Sequence, residues 1–128
     1  MPHANQKPTA SELEILHVLW TRGPSTVREV YEVLGEKRDI GYTSVLKLMQ
    51  IMTEKGSVRR NETQRAHVYE VCQPAEKIKR GLAADVLERV FDGSASELMM
   101  HALAGRRASK EEIAELRRLI NEYERKQS

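Results

Sequence analysis

The sequence predicts a mainly α protein: three short helices and a β-hairpin, followed by a second helical region. Three observations predict it. Apolar residues repeat at helical spacing in three successive segments between Thr9 and Gly56, each bounded by capping or stop residues. The period then changes to short runs rich in β-formers. After those runs helical spacing returns, in segments separated by Gly and Ser. At 128 residues, 40% hydrophobic and 31% charged, the chain has the size and composition of one small folded domain with an appended region.

Thr9-Ala-Ser-Glu12 has the form of a capping box, a hydroxyl followed three residues on by a carboxylate. Leu13, Leu16, Leu19 and Trp20 then share a helical stripe, which Gly23-Pro24 stops. Trp20 is read as a packing residue. Ser25 or Thr26 caps a second helix with Val27, Val30, Tyr31 and Leu34 on one side, ended by Gly35. A polar link, residues 36–41, leads to GYTSVLKLMQIMTEKG, where Val45, Leu48, Met49 and Met52 follow the i, i+3, i+4, i+7 pattern before Gly56. The other side of this third helix carries Thr43, Ser44, Lys47 and Gln50, and Tyr42 lies in its first turn.

SVRR and RAHVYEV then read as a hairpin with a four-residue loop, Asn61-Glu-Thr-Gln64. Its register stays open, because Val68 and Tyr69 both suit burial. Three helices followed by a two-stranded ribbon is the winged form of the helix-turn-helix. In that fold the third helix packs one face on its neighbours and presents the other to the major groove, its N-terminal residues nearest the base edges. Small hydroxyls allow close approach, and Lys and Gln reach base acceptors or phosphates. Tyr42, Thr43, Ser44, Lys47 and Gln50 are therefore the candidate recognition residues. Arg59, Arg60 and Arg65 flank the hairpin loop as candidates for gripping the phosphate backbone.

Charge distribution agrees with that reading. Residues 37–69 carry seven basic side chains against three acidic ones, while residues 70–128 are balanced. A local basic field of this kind attracts polyanions.

Past the hairpin, residues 76–91 place Ile78, Leu82, Val86, Leu87, Val90 and Phe91 on a broad apolar stripe, broken by Asp92-Gly93. Ser94-Ala-Ser-Glu97 opens a short helix with Leu98, Met99, Ala102 and Leu103. Ser109-Lys-Glu-Glu112 opens another, with Ile113, Leu116, Leu119, Ile120 and Tyr123. Three helices of this length bury little alone, so either the winged part or a second copy of the chain must cover them. Homodimerisation is the reading adopted, with Ile78, Leu82, Leu87, Phe91, Leu98, Ile113, Leu116, Ile120 and Tyr123 as candidate interface residues. The expected division is a DNA-binding domain over residues 1–72 and a dimerisation domain over residues 73–128.

Several function classes are disfavoured. No run approaches the roughly 18–20 apolar residues of a membrane helix, and MPHANQKPTASE lacks the apolar core of a signal peptide; the chain is expected in the cytoplasm, without membrane insertion. The single cysteine, Cys72, excludes an intrachain disulfide framework or a cysteine-based metal cluster. His3, His17, His67 and His101 have no metal-ligand spacing, and the adjacent Met99-Met100-His101 point to different helix faces. No metal or other cofactor is expected. Nothing pairs a nucleophile with a base or builds a phosphate loop, so the chain is not read as an enzyme.

SELEILHVLW, GPSTVREVYEVL, GYTSVLKLMQIMTEKG and RAHVYEV, continuing into FDGSASELMMHAL and KEEIAELRRLI, resemble in order and spacing the penicillinase-repressor family of bacterial transcriptional regulators. The resemblance covers nearly the whole chain. It implies a winged-helix repressor that binds double-stranded operator DNA as a homodimer, on a palindrome with TACA and TGTA half-sites. It further implies release by a regulatory protease or membrane sensor system that responds to a β-lactam. In such members cleavage falls at an Asn-Phe bond; no Asn-Phe dipeptide occurs here, and Phe91 follows Val90. The C-terminal cysteine cluster of copper-responsive cousins is also missing. The competing reading is a winged-helix module that binds protein instead of DNA.

Overall fold

Thr9 starts α1 (Ala10–Arg22) with the expected capping box. Its hydroxyl accepts from the Glu12 N–H, and the Glu12 carboxylate accepts from the Thr9 N–H. The computed structural model describes residues 7–127, so His3 and the first six residues of the MPHANQ start lie outside the described residues. α1 is followed by β1 (Ser25–Thr26), α2 (Val27–Lys37), α3 (Tyr42–Lys55), β2 (Val58–Asn61), β3 (Val68–Val71), α4 (Ala75–Phe91), α5 (Ala95–Leu103) and α6 (Lys110–Gln127). The chain divides into two compact units, Met1–Leu82 and Ala83–Ser128.

The first unit is a winged helix-turn-helix around one apolar core. α1 contributes Ile15, Leu16, Val18 and Leu19, α2 Val27, Val30 and Leu34, α3 Val45, Met49 and Met52, and the sheet Val58 and Tyr69. On α1 the buried face is wider than the Leu13–Leu16–Leu19–Trp20 stripe. The helix lies against α2, α3 and β3 together, which covers Ile15 and Val18 while Leu13 and Trp20 stay half-buried at its rim. Trp20 does pack against the core, with the Lys79 ammonium 5.3 Å from its ring centre.

A buried carboxylate ties α3 in place. Glu12 is only 2% exposed, and its oxygens accept hydrogen bonds from the Lys55 ammonium at 2.9 and 3.2 Å. An unpaired charge there would be costly; the pair joins the start of α1 to the last turn of α3. Gly56 then closes α3 in the left-handed conformation, φ 84°. The Ser57 N–H reaches the Met52 carbonyl and the Gly56 N–H that of Thr53, a Schellman closure that turns the chain into β2.

Three further features differ from the sequence-based expectation. α2 runs through Gly35 to Lys37: the glycine is exposed, and its helix penalty of about 1 kcal/mol is smaller than the gain from burying Leu34 beside it. The hairpin loop spans residues 62–67, not 61–64, because Asn61 pairs with Val68 and its side-chain oxygen accepts from the Thr63 N–H to form the turn. The register buries Tyr69 and leaves Val68 half-buried. Finally, the sheet has three strands in the order β1-β3-β2, all antiparallel, with Ser25 opposite Tyr69 and Thr26 opposite Val68.

Thr26 therefore serves two structures at once. It ends β1 and caps α2, accepting from the Glu29 N–H while its own N–H donates to the Glu29 carboxylate. Thr26→Ala is expected to cost about 1 kcal/mol, seen as a lower urea midpoint at unchanged slope. The hydrogen bond from the Thr26 backbone holds the Glu29 pKa below its ordinary value, overcoming desolvation, with the Arg22 charge adding to the effect. A carboxylate with a depressed folded pKa stabilises the fold above its unfolded pKa and stops doing so as pH falls through the folded one. The stability difference between the parent and Glu29→Gln should accordingly shrink below about pH 4.5.

In the second unit, the last part of α4 leads through Asp92 and Gly93, both at positive φ, to Ser94, whose hydroxyl caps α5 by accepting from the Glu97 N–H. The Ser109 hydroxyl does the same for the Glu112 N–H at the start of α6. Phe91 and His101 meet with ring centres 5.6 Å apart. None of the described residues of α4, α5 or α6 is fully buried. Among the described helices, none is long and apolar enough to cross a membrane.

Candidate nucleic-acid interface

α3 has two unlike faces. Val45, Met49 and Met52 are completely buried, whereas Tyr42, Thr43, Ser44, Lys47 and Gln50 are all exposed. The core contacts of the first set fix the orientation of the second, in which Tyr42 meets Arg28 and Tyr31 of α2.

The N-terminus of α3 differs from those of α1 and α2. Each of those two is closed by its own Thr–Glu capping box, whereas α3 begins at Gly41 with no side-chain cap and no acidic residue in its first turn. Its first N–H groups, with the positive end of the helix dipole, are thus open to an external anion.

Side-chain pairing redistributes the basic field of residues 37–69. Arg38 donates to both oxygens of Glu14 at 2.9 and 3.2 Å, and Lys55 is taken by Glu12. On β2, Arg59 pairs with Glu70 at 2.6 Å and Arg60 with Glu62 at 2.9 Å. These contacts hold both guanidiniums firmly charged, Arg59 through its hydrogen bond to Glu70 and Arg60 through Tyr69 and then Glu62. Exposed pairs of this kind contribute little to stability because water screens them, so a phosphate can share or replace the carboxylate. Among the described residues Lys37, Lys47 and Arg65 form no ion pair.

Arg65 lies within the hairpin loop and lines an open groove of about 590 Å³ between that loop and the start of α2 and α3. Tyr42, Arg28 and His67 also line it. Arg28, which the sequence reading did not select, projects from the first turn of α2 and places its guanidinium 5.3 Å from the centre of the Tyr42 ring. The i, i+3 spacing of Arg28 and Tyr31 in VREVYEVL could have marked it, since Tyr31 meets the other side of the same cluster.

Of the residues selected for self-association, Ile78 is half-buried against the core of the first unit. Leu82, Leu87, Phe91, Leu98 and Leu116 are half-buried, and Ile113, Ile120 and Tyr123 are 40%, 58% and 65% exposed. Met99, Leu116, Leu119, Ile120 and Tyr123 together line a shallow apolar hollow of about 250 Å³. Cys72 is half-buried as a free thiol.

Relatives match along nearly the whole chain. The sequence model of the family described as "Penicillinase repressor" matches residues 8–122, taking in the winged unit and most of the helical region after it. The transcriptional regulator BlaI of Mycobacterium tuberculosis is 33% identical over 115 residues, which cover 88% of this chain and 82% of that protein. The methicillin resistance regulatory protein MecI is more distant: 20% identical in Mammaliicoccus sciuri and 19% in Staphylococcus aureus, each over 121 residues covering 94% of this chain and 98% of the relative.

Proposed function

Because the chain belongs to the penicillinase repressor family, whose members are transcriptional regulators, we propose that it is a cytoplasmic repressor that binds palindromic operator DNA as a homodimer. The observation that carries this reading is the two-faced α3. Its apolar face is locked in the core, and Thr43, Ser44, Lys47 and Gln50 stand exposed beside an uncapped helix start. Thr43, Ser44, Lys47 and Gln50 meet the major groove, with Tyr42 at the head of the same helix. Arg59, Arg60 and Arg65 hold the flanking backbone from the wing. Residues 1–72 carry the DNA site, and residues 73–128 join two copies so that each engages one half-site. The apolar side chains left uncovered on α4, α5 and α6 support that second role.

Repression follows from occupancy of a promoter, and derepression from a β-lactam or other cell-envelope signal relayed by a sensor and a protease. The BlaI and MecI likeness motivates that signal. The chain contains no Asn-Phe bond, so either cleavage falls at another bond or the inducer is a different one.

Mapping the chromosomal sites bound by the full chain, with and without a β-lactam, tests the proposal. It should recover a small set of promoters sharing an inverted repeat with TACA and TGTA halves, emptied on exposure to the drug. Sites that are recovered but unchanged by the drug would reject the inducer and keep the repressor. An absence of enriched sites would favour the protein-binding alternative.

A further inference from the structure

We propose that Arg28 is a phosphate-binding residue of the duplex site and that Tyr42 is the platform that aims it, an inference that rests on the duplex-binding reading above. The Arg28 guanidinium lies over the face of Tyr42, 5.3 Å from its centre. Tyr42 also makes a T-shaped contact with Tyr31, with ring centres 5.7 Å apart and planes at 80°. The tyrosine ring is thus held by two contacts at the first position of α3. A guanidinium resting on an aromatic face keeps its N–H edges free, a pre-oriented fork suited to a phosphate.

Pairing distinguishes Arg28 from most arginines nearby. Arg22, Arg38, Arg59 and Arg60 each hold a carboxylate, whereas Arg28 has no ion pair among the described residues. Arg65, likewise without one, lines the same groove from the wing loop. Two uncommitted guanidiniums on one groove beside the start of α3 form a clamp for a single stretch of sugar-phosphate backbone.

Two carboxylates also line the groove. Glu29 is engaged by the Thr26 N–H and by Arg22, so its charge is already balanced. Glu32, one helical turn beyond Arg28, has no ion pair among the described residues. Its repulsion confines the phosphate to the Arg28 and Arg65 end. This arrangement moves Tyr42 from reading bases to positioning an arginine.

The test measures binding of the full chain and its variants to a recovered operator duplex and to a scrambled duplex of equal length, across a salt series. Arg28→Ala should weaken both duplexes about tenfold near 0.1 M salt and lower the salt slope by about one. Arg28→Lys, which keeps the charge, should keep the slope. Tyr42→Phe, which keeps the ring face and loses the hydroxyl, should change the affinity for both duplexes by the same factor and keep the salt slope. Tyr42→Leu should weaken both alike, and Glu32→Gln should strengthen both. An unchanged slope in Arg28→Ala, with the parent slope steep, overturns the phosphate contact. A selective loss on the operator in Tyr42→Phe overturns the platform and returns Tyr42 to base reading. If the parent itself binds neither duplex in a salt-dependent way, the duplex-binding reading fails and takes this inference with it.

Discussion

Cutting the chain after Leu82 is expected to lower its affinity for a two-half-site operator by about 10²–10⁴-fold while leaving the winged unit folded. The cut keeps the whole N-terminal core, including Ile78, which packs half-buried against it from α4. It removes α5, α6 and the end of α4, where Val90, Met100, Ile120 and Tyr123 are each more than half exposed. If those side chains join two copies, their loss leaves each winged unit to bind alone. The second binding event then no longer benefits from the effective concentration that linkage supplies, which sets the size of the effect. Sedimentation of the full chain at micromolar concentration should give twice 14.7 kDa, and the shortened chain should run as a monomer. Equal affinity of the two forms would show that self-association plays no part in recognition.

On the DNA itself, Lys47→Ala is expected to cost about 1–3 kcal/mol on the operator and little on random sequence, whereas Arg60→Ala should weaken both alike. Lys47 lies one turn along α3 from Thr43, exposed and without an ion pair among the described residues, so its ammonium is free to reach a base edge. Arg60 sits on β2, already oriented by Glu62, at the height of the wing where the backbone would pass. Losing a phosphate contact should also reduce the salt slope by about one. Lys47→Ala weakening both duplexes equally would make Lys47 a backbone clamp. Arg60→Ala acting only on the operator would make the wing a reader of sequence or groove shape.

Much of the winged unit was legible because its signals are local. Thr9–Glu12 is a capping box four residues long, and Val45, Met49 and Met52 announce a buried face by spacing alone. The exposed set from Tyr42 to Gln50 followed from the same periodicity. What escaped depends on partners distant in sequence. Ser25 and Thr26 form a strand only because β3 lies beside them, and two residues carry no period of their own. The Glu12–Lys55 pair spans 43 positions and the Arg38–Glu14 pair 24, so the count of seven bases in residues 37–69 overstated the charge left for a partner. Gly35 looked like a helix stop because its local cost is visible, whereas the burial of Leu34 that outweighs it belongs to the tertiary packing. Arg28 was passed over for a similar reason: its place over Tyr42 exists only once α2 and α3 are docked.

The central claim is that the exposed face of α3 and the wing together bind duplex DNA with sequence preference. The most direct measurement is the affinity of the full chain for a recovered inverted repeat and for its scrambled counterpart, followed across a salt series. Both affinities should fall steeply and linearly on a double-logarithmic plot as phosphates release their counterions. The inverted repeat should remain tighter by about 10³-fold or more at each salt concentration. Binding that is flat with salt, or equal on the two duplexes, would contradict the claim.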